Sequence, residues 1–196
     1  MKPKKVPGIP SQVRGGFQDT ESIKKFSSSE EVDLKFDILK KRFFEITKWS
    51  EYCPNGAEFK LYDTAGEQVN RSPEIGDYIK ILPTKINNPK TEDYYWVRID
   101  LIDKSNPDRI MLQFRPSKLP GNEFAGKTFH FHSAAATSTF VISKGSDYIK
   151  MAVYERNQQP NKNTTFANSI KNMISSVFGT SKIRWKSLAD ELINLN

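Results

Sequence analysis

Between about Ala57 and Asn157 the chain alternates apolar and non-apolar residues in seven short segments: AEFKLYD, GDYIKIL, YYWVRIDLID, DRIMLQFR, KTFHFH, TSTFVIS and DYIKMAVYER. A period of two sends successive side chains to opposite faces of a sheet, so each segment is predicted as a half-buried β-strand. The connections are rich in turn formers: NNPKTED, KSNPD, the longer SKLPGNEFAG and a polar stretch between Thr64 and Gly76. Gly145-Ser146 predicts a tight hairpin between the last two strands. Short connections favour antiparallel neighbours, because a parallel pair needs a long crossover.

Helix signals frame the strands. Ser28 and Glu31 fit a capping box, and Phe36, Leu39, Phe43 and Ile46 form one apolar stripe behind it. Val32, Leu34, Phe36 and Ile38 also alternate, so a short strand leading into this helix is an open alternative. Trp49 and Tyr52 are expected to close the helix against the sheet, and Pro54-Asn55-Gly56 is a turn before the first firm strand. After Gln158, Phe166, Ile170, Met173, Ile174 and Val177 share a helix face, with Thr164 or Thr165 as cap and Gly179 at the left-handed stop. Ser181 can cap a second helix whose stripe is Trp185, Leu188 and Leu192. Two helices so joined resemble a helix-turn-helix, but that geometry is generic and the stripes are needed for docking on the sheet. The expected fold is α+β: a curved antiparallel sheet of about seven strands, open or closed towards a barrel, with one helix before it and two after.

Residues 1–27 combine Pro3, Pro7, Pro10, Gly8, Gly15 and Gly16 with lysines and few large apolar groups, which predicts a flexible basic tail ahead of a single domain over 28–196. Charge supports this division. Residues 1–25 hold six basic and two acidic side chains, a balance of +4, which leaves +3 of the total of +7 for the remainder. A domain near +3 is ordinary, so the basic excess is not by itself a nucleic-acid signature. No apolar run approaches the roughly 18–20 residues of a membrane-spanning helix. The basic start MKPKKVPGIP lacks the apolar stretch of a signal peptide. The lone Cys53 excludes an internal disulfide. The expectation is a soluble, cytoplasmic protein.

Sorting the strands by parity separates two faces. One is heavily apolar: Phe59, Leu61, Ile79, Ile81, Tyr95, Val97, Ile99, Leu101, Ile110, Leu112, Phe114, Phe129, Phe131, Phe140, Ile142, Ile149, Met151 and Val153. At roughly 1.5–3 kcal/mol per large side chain, burying it dominates stability. The other face interleaves aromatic and basic groups, and Tyr78, Trp96, Arg98, Arg115, His130 and His132 are its candidate binding residues. Such a face can hold an anionic or aromatic ligand, or it can be a solvated surface on which these long side chains pair across strands. No segment matches the aromatic signature of an RNA-recognition module, so nucleic acid is the weaker version of the idea.

Catalytic vocabulary is sparse: two histidines, one cysteine, no phosphate-binding glycine loop and no nucleophile elbow. His130 and His132 flank Phe131 and project to one side of a strand, close enough to share a metal. A third ligand, such as Asp100 or Glu155, has no assigned place, and two surface histidines is the alternative reading. Cys53 has no partner base in the sequence around it. No cofactor is implied.

Several strings together resemble a family of uncharacterised bacterial proteins of the Bacteroidetes type: Trp49 followed by PNGAEFKLYD, then GDYIKI, YYWVRIDLI, FRPS, HFHSAAATSTFVI, ERNQQPN and WKSLADELI. The resemblance covers nearly everything after the tail and implies no activity. A second, fold-level resemblance is to the START-type helix-grip proteins, which wrap a curved antiparallel sheet around a C-terminal helix and enclose an apolar ligand. This chain departs from that pattern at Gly179, which interrupts the C-terminal helical region, and in lacking a firm strand signal before the first helix. The functional expectation is a non-enzymatic domain that binds a small apolar or anionic ligand or a protein partner, without membrane contact. It would use the aromatic-basic face or a pocket between sheet and helices. The alternative is a small hydrolase or isomerase of helix-grip or cystatin-like type, with His130 or His132 beside a carboxylate.

Overall fold

Ser28 starts the first helix as its spacing predicts: the hydroxyl accepts from the Glu31 N–H at 3.2 Å, and the Glu31 carboxylate reaches back to Ser27. In the computed structural model, which describes residues 2–54, 57–83, 95–117, 135–159 and 181–195, this helix is α1 (Ser29–Phe44). Its stripe of Val32, Phe36, Leu39 and Phe43 is buried, whereas Leu34 and Ile38 stay exposed, which settles the helix-or-strand ambiguity. A short 3-10 turn (Ile46–Lys48) and the one-turn helix α2 (Trp49–Tyr52) follow. The strands are β1 (Gly16–Lys25), β2 (Ala57–Tyr62), β3 (Tyr78–Pro83), β4 (Tyr95–Asn106), β5 (Arg109–Ser117), β6 (Thr137–Lys144) and β7 (Tyr148–Gln158), and α3 (Ser181–Ile193) closes the chain.

The strands form one curled antiparallel sheet in the order β1-β7-β6-β5-β4-β3-β2. Six of the seven predicted segments supply β2 to β7, while KTFHFH and the predicted helix around Phe166–Val177 lie outside the described residues. The seventh strand comes from the expected tail. Gly16–Lys25 pairs along β7 from Gly16↔Gln158 to Lys25↔Tyr148. The tail reading is therefore corrected over this stretch: composition alone gave no sign of a strand whose inward side chains are Gln18, Thr20 and Ser22.

The concave face carries the main core. Leu61, Ile79, Ile99, Leu112, Phe140, Ile142, Ile149, Met151 and Val153 are buried against α1, α2 and α3. Trp49 is its hub, with its ring 5.5 Å from Phe140, 5.4 Å from Phe59 and 6.5 Å from Phe114, and its N–H donating to the Arg42 carbonyl at 3.1 Å. On α3, Leu188, Ala189, Leu192 and Ile193 meet this core. Lys35 and Arg42 of α1 donate to the carbonyls of Leu195 and Asn194 at 2.7 and 3.0 Å, placing positive charge at the negative end of α3. Leu101 differs from its predicted place. The register slips between Ile99 and Leu101, so Ile102 faces Leu112 and Leu101 turns to the opposite face. One extra residue in a strand reverses the parity beyond it.

That opposite face is itself covered. Met111, Val141, Ala152 and Tyr154 form a second apolar cluster under Val6 and Ile9, and Gly8, in the left-handed region at φ +79°, lies so close that a Cβ would stand 2.7 Å from the Met111 methyl. The Lys4 amide and ammonium bond Asp19 at 2.8 Å and Glu21 at 2.5 Å. Asn157, at φ +57°, accepts from the Val13 N–H at 2.8 Å and the Arg14 N–H at 3.2 Å, and donates to the Ser11 carbonyl at 3.1 Å. Residues 2–14 thus run as a strap across the sheet.

Two outcomes test this packing. Trp49→Ala should cost about 3–5 kcal/mol in urea denaturation, as for other fully buried large aromatics. Asn157→Gly keeps the backbone conformation but removes the clasp, so hydrogen exchange at Val13 and Arg14 should accelerate while β1 stays protected; unchanged exchange would leave the strap held by Val6 and Ile9 alone.

Candidate functional site

The convex face assembles four of the residues singled out by parity. Tyr78 pairs with Arg98, and Arg98 with Arg115, in one row across β3, β4 and β5; Lys80 pairs with Trp96 in the next. The Arg98 Nε and Nη2 donate to Asp100 Oδ1 at 3.0 and 2.9 Å, and Arg115 takes the other carboxylate oxygen. One carboxylate therefore bridges two guanidiniums that would otherwise repel across the strands. Trp96 is buried edge-on against Tyr62, ring centroids 4.8 Å apart. His130 and His132 lie outside the described residues. Among the described residues no three His, Cys, Asp or Glu side chains stand together in a way that could hold a metal. Cys53 is buried, and burial pushes its thiol pKa up, away from nucleophilic use.

The concave face ends in a polar row. Gln18 pairs with Glu155, Glu155 with Ser138 and Ser138 with Phe114, so these four lie side by side across β1, β7, β6 and β5. The next row inward is Thr20, Val153, Phe140 and Leu112. Glu155 is 3% exposed. Burial drives its carboxyl up to about 7, with the Trp185 indole N–H of α3 pulling the other way. That indole nitrogen is itself buried, and the Glu155 carboxyl is the one polar group it faces among the described residues. The Trp185 ring stands edge-on to Phe140 at 5.1 Å, and Phe140 lies 4.9 Å from Phe114, so an aromatic wall adjoins the carboxyl. Ser138 keeps part of its surface accessible where Thr137, Thr139 and Phe140 do not.

Parity was the signal for Glu155. Counting from Ile149, Met151 and Val153, the next residue on the buried face is Glu155, an acid where the pattern asks for an apolar group. Nearby, Ser22 Oγ donates to Asp190 at 2.6 Å and accepts from Lys186 Nζ at 2.9 Å, with Lys186 also on Asp190. Ser22 is buried and these bonds tie α3 to β1.

No protein-family model matches the chain, and no curated protein matches it. Among solved structures, the chain is similar to a hypothetical protein of Helicobacter pylori at 13% identity, over 98% of this chain and 97% of that one, with a TM-score of 0.61. It is also similar to an aromatase/cyclase, Zhui, from a Streptomyces species at 8% identity, over 90% and 94% of the two chains, TM-score 0.49. A third likeness is to norcoclaurine synthase from Thalictrum flavum at 12% identity, over 95% and 97%, TM-score 0.46. At these identities the likeness to the Helicobacter protein shows the fold alone, and the two weaker ones carry no functional argument. The strand order, with α3 against β1 and β7, is the helix-grip arrangement that the sequence resembles; β1 supplies the opening strand that the sequence did not announce. No helix among the described residues is long and apolar enough to cross a membrane.

The raised Glu155 pKa fixes the sign of a pH effect. Its ordinary value is 4.5, so the folded protein holds a proton there that the unfolded chain releases as pH climbs from 4.5 towards 7. Stability is unaffected by this group below that window and is reduced above it by on the order of 3 kcal/mol. Glu155→Gln should therefore stabilise the fold at about pH 8 and change little at about pH 4.5. An equal change at both, measured by denaturant titration, would show that the carboxyl is not held neutral by burial.

Proposed function

We propose that this chain is a ligand-binding protein that holds a small, mainly apolar molecule at the Glu155 end of the concave face, between β5–β7 and α3. One observation carries the reading: an acid with no cation beside it among the described residues is buried with the Trp185 indole N–H next to an aromatic wall. A buried acid without a charge partner weakens a fold, so its presence in an otherwise apolar layer points to a role other than stability. A cytoplasmic, bacterial setting belongs to the same reading and adds no chemistry to it.

A second reading, an interaction face for another protein chain, is favoured by the row of Tyr78, Arg98 and Arg115 beside Trp96 on the convex face. Aromatic and arginine side chains are the residue types that concentrate binding energy at interfaces.

Native mass spectrometry of the protein as purified separates the two. A mass above the 22.5 kDa chain that disappears on denaturation, and is absent from Ser138→Trp, is the outcome expected for the concave site. A co-purifying chain that persists in Ser138→Trp and is lost in Arg115→Glu would favour the convex face instead. A bare chain that also fails to bind an uncharged apolar dye such as Nile red would overturn the concave-site reading.

A further inference from the structure

We propose that the molecule taken up at this end is an aromatic amine, with its protonated nitrogen against the Glu155 carboxylate and its ring against Trp185, Phe140 and Phe114. This rests on the ligand-binding reading above and names the chemistry that the site selects.

The argument begins with what Glu155 lacks. A carboxylate withdrawn from water needs a cation or several donors. Among the described residues no lysine or arginine pairs with it. The adjacent Arg156 is turned to the other face, where its Nη1 donates to Asp19 at 2.6 Å and its Nη2 to the Lys4 carbonyl at 3.0 Å. The polar neighbour that remains among the described residues is the Trp185 N–H, a single neutral donor that leaves the second carboxylate oxygen unanswered. A carboxylate accepts on both oxygens, so an ammonium can take one while Trp185 takes the other, and both buried groups are then satisfied.

The walls favour the same charge. Aromatic rings present negative faces that attract an ammonium and an apolar surface that accepts a ring. Ser138 stands beside Glu155 in its row, and its hydroxyl oxygen can accept one of the ammonium's remaining hydrogens. An anion would meet Glu155 head-on. The arginines that suit an anion, Arg98 and Arg115, stand on the convex face with Asp100.

Isothermal titration with three probes of one shape tests this: phenethylamine, phenethyl alcohol and hydrocinnamate, at about pH 8, where Glu155 is ionised. The amine should bind tighter than the alcohol by about tenfold or more, the difference expected of a charge-assisted contact, and the acid should not bind. In Glu155→Gln the amine should lose its preference and bind no tighter than the alcohol. Trp185→Phe keeps the ring and removes the donor, so it should narrow the amine-to-alcohol ratio even if the Glu155 variant folds poorly. Equal binding of amine and alcohol to the unaltered protein, or preference for the acid, overturns this inference while leaving a concave ligand site standing. Failure of all three probes, with a bare chain in the mass spectrum, overturns both.

Discussion

The ladder between β1 and β7 is the constraint on which the rest depends. It joins the beginning of the chain to the last strand, from Gly16↔Gln158 to Lys25↔Tyr148. Once β1 lies there, both covers of the sheet follow. The strap continues from its N-terminal end over the convex face, and α3 docks on β1 and β7 from the concave side through Ser22, Lys186 and Asp190. β7 is consequently buried on both faces, with every residue from Met151 to Asn157 withdrawn from solvent. A strand so placed can hold Tyr154 and Arg156 on one side and Met151, Val153 and Glu155 on the other, and the chemistry of the two sides diverges.

Four charged groups show how differently a charge can be accommodated within one sheet. Arg156 is 1% exposed but well partnered: Asp19 neutralises it, and the carbonyls of Lys4, Gln18 and Glu155 accept from its Nη1 and Nη2. Arg98 and Arg115 sit at the surface and share Asp100, an arrangement worth little where water screens it. Glu155 has neither solution among the described residues, and so it alone shifts towards its neutral form. The contrast is what separates a structural charge from a candidate binding group.

Most of the strands were legible because they obey a period of two, and short connections favour antiparallel neighbours, but the order of the strands across the sheet depends on non-local pairing such as that of β1 with β7. The capping signature at Ser28 and Glu31 located α1 for the same local reason. What escaped was non-local. β1 turns Gln18, Thr20 and Ser22 inward and leaves Ile23 exposed, so its own pattern argues against a strand; only the partners β7 and α3 make sense of it. Leu101 escaped because a single bulge inverts the rule that predicted the residues before it. The convex residues Tyr78, Trp96, Arg98 and Arg115 do share a face, as alternation implies, yet the ion pairs that occupy the two arginines depend on Asp100 standing at that bulge. Glu155 was within reach of the same parity count that found the core, had the acid been read as the exception to an apolar series.

The polar inward face of β1 has a consequence for the order of folding. Strands β2 to β7 can zip successively, each against the neighbour just before it in the chain, whereas Thr20 must wait for Val153. Contacts of such sequence separation carry the largest loop-closure cost and form late. During that interval an unpaired strand is a template for association with other chains. A strand built of glutamine, threonine, serine and lysine is poorly suited to that misuse, so the feature that hid β1 from a reading of the sequence is also what lets it wait in water.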